Sequence, residues 1–233
     1  MKAPIVLAVD TNDLQTAQKW IAATQESVSV YKLGLEFFLT FGEEGVRAIK
    51  SVTDADIFLD LKLHDIPHTV SGAASAVGGL VPKYLTVHAS GGRTMVSAAV
   101  AALPLTHVTA VTILTSLSEE DLFEIGFANN ALESAVALAK MSVAAGAKAI
   151  VCSPLEISAV RSAVGNGLTI ITPGVRPLTE VGSDDQKRTM VPRDAIAAGA
   201  NLVVIGRPIT SAWKDGAEAM KMKARLIADE ILK

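Results

Sequence analysis

Apolar, largely β-branched runs of four to seven residues recur along the chain, and between them lie alanine-rich stretches whose apolar positions repeat with helical spacing. The runs predict strands over 5–10, 29–33, 57–63, 84–88, 108–114, 149–153, 169–172 and 202–206. The stretches between and after them predict helices over 14–25, 43–52, 69–77, 94–102, 132–145, 155–164, 193–198 and 217–232. Eight strand–helix units in 233 residues give roughly 29 residues each, about one strand–loop–helix–loop module. Strands apolar on both faces belong to a parallel sheet covered by helices, and eight such units close on themselves. The predicted fold class is therefore α/β, a (β/α)8 TIM barrel forming a single domain over 1–233. An open doubly wound sheet is the alternative, but no Gly-x-Gly-x-x-Gly turn of its dinucleotide-binding version follows the first strand.

One stretch departs from this apolar pattern. In Phe58-Leu59-Asp60-Leu61-Lys62-Leu63-His64-Asp65-Ile66-Pro67, side-chain alternation puts Leu59, Leu61 and Leu63 on one face and Phe58, Asp60 and Lys62 on the other. Pro67 fits the first turn of a helix, so Asp65 falls in the connection just past the strand. Charges on a stretch apolar enough to be buried must be paired, solvated in a cleft, or used. A structural Asp60–Lys62 ion pair would account for two of them, but the other strand ends weigh against so simple a reading.

Active sites of barrels form at the C-terminal strand ends. Those ends carry Asp10 after the first strand, Lys32 and Gly34 at the second, and Asp60, Lys62 and Asp65 at the third. His88 to Gly92 follow the fourth, Thr115 and Ser116 the fifth, and Cys152 and Ser153 the sixth. Pro173, Gly174 and Arg176 follow the seventh, and Gly206 and Arg207 the eighth. Polar and charged groups thus converge on one mouth of an apolar barrel.

Glycine-bearing loops after the last two strands are the usual phosphate cradle of such a barrel, because backbone N–H groups there approach an anion closely. Gly174, Gly206 and Arg207 fit that use, Arg207 with a fork that matches phosphate oxygens. A long polar loop at about 175–190 is expected to act as a lid, with Gln186 reaching the ligand. His64 and His68 stand four apart, but Pro67 between them opposes a helix presenting both to zinc, and no metal site is predicted. Cys152 has no obvious histidine partner in sequence and reads as a small buried apolar residue, whereas His88 fits either a ligand donor or a loop-satisfied side chain.

Composition narrows the classes further. Hydrophobic residues make up 50% of the chain, enough for a large core, and a net charge of −3 with interspersed signs offers no basic face for nucleic acid. The single cysteine allows no internal disulfide, which suits a reducing compartment. The first residues read as a strand and not as a secretion signal, and no apolar run is long enough to cross a bilayer. A soluble, cytoplasmic protein without membrane or nucleic-acid partners is expected.

The run Asp60-Leu61-Lys62-Leu63-His64-Asp65-Ile66-Pro67 resembles the Asp-x-Lys-x-x-Asp-Ile-Pro signature of the orotidine 5′-phosphate decarboxylases, in their bacterial form. The likeness extends to Leu7-Ala8-Val9-Asp10, Tyr31-Lys32-Leu33-Gly34, Val87-His88-Ala89-Ser90-Gly91-Gly92, Leu114-Thr115-Ser116, Thr172-Pro173-Gly174-Val175-Arg176, Asp185-Gln186-Lys187-Arg188 and Val204-Ile205-Gly206-Arg207-Pro208. The resemblance implies decarboxylation of orotidine 5′-phosphate to UMP, the last step of pyrimidine synthesis, without cofactor or metal. It implies a homodimer with sites at the interface, Asp65, Ile66 and Thr69 reaching into the neighbour's site. It implies a charged array of Lys32, Asp60, Lys62 and Asp65, with Lys62 as the acid that protonates the ring carbon. Asp10 and Lys32, with Thr69, would hold the ribose hydroxyls, Ser116 the pyrimidine edge, and Gln186 and Arg207 the 5′-phosphate; Thr115, Pro173, Arg176 and Gly206 would line the same site. The sequence departs from the family pattern at His68, where asparagine is more usual.

Two other functions are weighed. A magnesium-dependent sugar-phosphate decarboxylase or aldolase of the same barrel superfamily is expected to carry an acidic metal ligand near the end of strand two, where this chain has Lys32. A non-catalytic nucleotide-binding barrel would not need the array.

Overall fold

The structure, a computed structural model, describes residues 2–177 and 190–233. Eight strands, β1 Ala3–Ala8, β2 Val28–Gly34, β3 Asp56–Leu63, β4 Tyr84–His88, β5 His107–Val111, β6 Ala149–Val151, β7 Thr169–Thr172 and β8 Leu202–Ile205, pair in sequence order. All pairings are parallel, and β1 bonds both β2 and β8, so the sheet closes. Around it lie α1 Leu14–Thr24, α2 Leu35–Lys50, α3 Pro67–Gly78, α4 Gly92–Ala102, α5 Glu119–Glu124, α6 Ala131–Ala144, α7 Ile157–Val164, α8 Pro192–Ala197, α9 Arg207–Thr210 and α10 Ala217–Leu232. This is the expected (β/α)8 barrel, and among the described residues no helix is long and apolar enough to cross a membrane.

Strand alternation divides the core into two shells. Leu7, Leu33, Leu59 and Leu85 point outward and pack with Ile21, Phe37, Val70 and Met95 from the surrounding helices, all fully or almost fully buried. Val6, Val30, Phe58, Tyr84, Ala149, Ile171 and Leu202 point inward and fill the barrel. There the Phe58 and Tyr84 rings meet edge to face at 5.6 Å, as do Tyr84 and His107. Each large aliphatic side chain removed from water contributes roughly 1.5–3 kcal/mol, so two apolar shells sharing one sheet fix the strands firmly.

Three differences from the predicted elements have physical causes. The second helix starts at Leu35, well before the predicted 43, and is broken at Gly42, whose φ of 58° only glycine adopts readily. Its first limb escaped because exposed Leu35 and Leu39 stand among the core-facing Phe37 and Phe41, so the run reads as apolar all round and its buried stripe is masked. The short α5 was missed because its first turn is acidic, although Ser118 and Asp121 form a capping box across its start. Strands β5 and β6 stop at Val111 and Val151, and the apolar residues beyond them belong to the barrel mouth.

Candidate active site

The inward faces of β2 and β3 continue upward from the apolar filling into charge. Lys32 follows Val30 and Asp60 follows Phe58 on the same faces, so the array stands on the packed barrel itself. The Lys32 ammonium lies 3.3 Å from an Asp10 carboxylate oxygen and 3.4 Å from Asp60 Oδ2. The Lys62 ammonium donates to Asp60 Oδ1 at 2.8 Å. Asp10, Lys32, Asp60 and Lys62 thus form a chain of alternating charge, its two central side chains only 11% and 13% exposed. Burial pushes the Asp60 carboxyl upward, but the ammonium groups of Lys32 and Lys62 and the Thr86 hydroxyl outweigh it and hold the group below its ordinary value.

Gly34 leaves room for the charged pair. A Cβ there would lie 3.0 Å from the Lys32 ammonium and 3.3 Å from the Asp10 carboxylate, so any side chain would crowd the charged pair.

The β3–β4 ladder is offset at the site. Leu59 pairs with Leu85 and Leu63 with Val87, leaving Asp60, Leu61 and Lys62 opposite the single residue Thr86. Lys62 takes up the excess with a left-handed backbone, φ 48°, unusual for a side chain of this size. The fully buried Thr86 hydroxyl accepts the Lys62 N–H at 2.8 Å and donates to Asp60 Oδ1 at 3.0 Å. Sequence reading passed over Thr86 because only the final residue of that strand, His88, was counted as facing the mouth. Alternation from Tyr84 would have placed Thr86 inward as well.

A cavity of about 290 Å³ opens above the array. Of the predicted site residues, Asp10, Lys32, Asp60, Lys62, Thr115, Pro173, Arg176, Gly206 and Arg207 line it, together with Gly174 and Cys152. Arg176 is buried and donates from Nη1 to the Val175 carbonyl at 2.9 Å. Ser116 is exposed and does not line the cavity. Asp65, Ile66 and Thr69 are exposed at the start of α3, away from this chain's cavity, and Asp65 accepts the Ile66 N–H at 2.6 Å. Gln186 and most of the expected lid lie outside the described residues.

Two further groups were singled out from the sequence. Cys152 is buried, and desolvation followed by the Glu156 charge pushes its thiol well up, so it forms part of the apolar wall. His88 packs against His64 with ring centroids 5.4 Å apart. Desolvation first, then the charges of His64 and Lys62, holds the His88 imidazole below its usual value against the opposite pull of Asp60, so it is neutral at neutral pH. Among the described residues no three His, Cys, Asp or Glu side chains gather as a metal site would require.

Fold and site together define a (β/α)8-barrel enzyme whose cleft joins a buried array of alternating charge to glycine-bearing strand ends. The model of the orotidine 5′-phosphate decarboxylase / HUMPS family matches residues 3–222. An orotidine 5′-phosphate decarboxylase of Thermobifida fusca (strain YX) is 50% identical over 226 residues, 97% of each chain. One from Frankia casuarinae is 42% identical over 97% of this chain and 89% of its own. A crystal structure of the enzyme from Lactobacillus acidophilus superimposes with a TM-score of 0.83 at 30% identity, covering both chains completely. The chain belongs to the orotidine 5′-phosphate decarboxylase / HUMPS family.

Proposed function

We propose that this chain decarboxylates orotidine 5′-phosphate to UMP, closing pyrimidine synthesis in the cytoplasm, and that it does so as a homodimer. The observation that carries this reading is the Asp10–Lys32–Asp60–Lys62 chain at the floor of the cavity, in a protein 50% identical to a named decarboxylase. The bond between the ring carbon and the carboxylate breaks, its electron pair stays on the ring carbon, and carbon dioxide leaves. Lys62 gives that carbon a proton and is recharged from solvent. No electron sink is needed if a fixed cation faces the developing charge. At an effective dielectric of about 20, unit charges 4 Å apart attract by roughly 4 kcal/mol, so a small displacement of the ammonium is costly.

Asp60 holds the Lys62 ammonium and lies beside the substrate carboxylate. Asp10 and Lys32 hold the ribose hydroxyls. Thr115 meets the pyrimidine from the cavity wall, Ser116 is assigned to its edge and must turn inward from its exposed position to reach it, and Pro173 and Arg176 complete the wall. Gly206, Arg207 and Gln186 bind the 5′-phosphate, the last from a lid that closes over it. Asp65, Ile66 and Thr69 serve the partner's site: they are exposed together, Ile66 to 65%, which suits a surface covered by a second copy. The whole chain acts as one domain.

The nearest alternative is a magnesium-dependent sugar-phosphate decarboxylase or aldolase of the same barrel superfamily, so the reaction must be separated from that one. An ammonium between two carboxylates fills the position where that chemistry would want a cation. Loss of orotidine 5′-phosphate absorbance by protein treated with EDTA, with UMP as product, is the expected outcome. Turnover of a sugar phosphate that needs added magnesium would overturn the proposal, and tight UMP binding without turnover of either would favour a binding protein.

A further inference from the structure

Resting on the decarboxylase reading, we infer that Thr86 is a positioning residue for the reaction, its hydroxyl fixing the backbone and ammonium of Lys62. Three observations converge on it. The offset ladder leaves the Lys62 amide opposite a single β4 residue, and the donor that the sheet does not satisfy is satisfied by Thr86 Oγ1 at 2.8 Å. Lys62 stands in the left-handed region at φ 48°, a conformation that persists only where its surroundings impose it. The same hydroxyl then passes its own proton toward Asp60 Oδ1 at 3.0 Å, the oxygen that also accepts from the Lys62 ammonium at 2.8 Å.

One buried oxygen therefore holds both ends of Lys62. It anchors the peptide from which the side chain departs, and it orients the carboxylate on which the side chain ends. Two acceptor sites and one donor are what a hydroxyl offers, and both bonds use its inventory without conflict. Thr86 does not line the cavity, so it acts through Lys62 and Asp60 and not on the substrate. Removing the hydroxyl leaves a partly buried N–H without its partner and frees the left-handed peptide to relax, which swings the ammonium away from the carbon it must protonate.

The test compares Thr86→Val, Thr86→Ser and Thr86→Ala with the wild type. Wild-type conversion of orotidine 5′-phosphate to UMP is measured first; its absence would strike the decarboxylase reading itself and not this inference alone. With an active wild type, T86V, which keeps the shape and loses the oxygen, should lower kcat by about ten- to a hundredfold with KM and UMP affinity nearly unchanged. T86S should restore most of kcat, whereas T86A, equally short of the methyl group, should be as slow as T86V. The acid limb of the kcat profile should move to higher pH in T86V, because Asp60 loses a bond that favours its charged form.

A role confined to packing would lower melting temperature in all three variants without separating Ser from Ala in turnover. Equal kcat for T86S and T86A, or a T86V defect in KM alone, overturns the inference. If T86V does not fold, the Ser–Ala comparison decides, and if Ala also fails, a T86S enzyme slowed about a hundredfold or more relative to wild type overturns it.

Discussion

In the proposed reaction Lys62 concentrates the chemistry, because its ammonium is the cation assigned to face a carbanion that no cofactor neutralises. On that proposal, replacing it with alanine removes the proton donor but leaves Lys32, Asp10 and the glycine-bearing strand ends assigned to the ribose and phosphate. Lys62→Ala should therefore reduce turnover by on the order of a thousandfold or more while UMP affinity stays within a few-fold. Spectrophotometric turnover and calorimetric titration check the two halves separately, and near-normal turnover would remove Lys62 from its role. The residues of this array were legible in the sequence because charges interrupted an apolar strand with its alternation intact. Thr86 was not, since a threonine on a buried strand is ordinary and the ladder offset that makes it special belongs to two strands at once.

Elements were readable where their burial is one-sided or complete and unreadable where it is neither. Strand β3 announced itself through Leu59, Leu61 and Leu63, whereas the first limb of α2 exposes its leucines and the short α5 gains its ends from caps and not from packing. The seam between β2 and α1 offers a test of how these layers hold. Tyr31, on the outward face of β2, donates to the Ile21 carbonyl at 3.1 Å and lies 3.1 Å from Thr24 Oγ1. Burial raises its phenol from 10.0 to about 12. A raised value favours the neutral form in the folded state, so its contribution is complete below pH 10.0 and is lost as pH rises toward about 12. Unfolding free energies from denaturant titrations should fall across that window by up to about 2–3 kcal/mol in the wild type, and Tyr31→Phe should remove that component of the fall.

The assembled protein should have two sites, each completed across a subunit boundary. Mixing Asp65→Ala with Lys62→Ala protein, each inactive alone, should create heterodimers in which one site draws Lys62 and Asp65 from intact sources. Roughly a quarter of wild-type activity is expected at equal mixing with free exchange. No recovery, with subunit exchange demonstrated by differently tagged chains, would mean that each chain builds its own site. The closed barrel was legible from the repeat of eight units, because parallel strands buried on both faces have few other ways to be covered. The homodimer is an expectation drawn from the family resemblance and not from residue patterning, because an exposed residue such as Ile66 carries no periodic signal of what covers it.

The inward column that rises from Val30 and Phe58 to Lys32 and Asp60 has no loop between its apolar and its charged tiers. Lys32 and Asp60 are therefore held as firmly as the core is. On heating, the Lys32–Asp60 pair should keep its geometry up to the temperature at which the barrel comes apart, so that activity lost below that temperature would report separation of subunits and not melting of the pair.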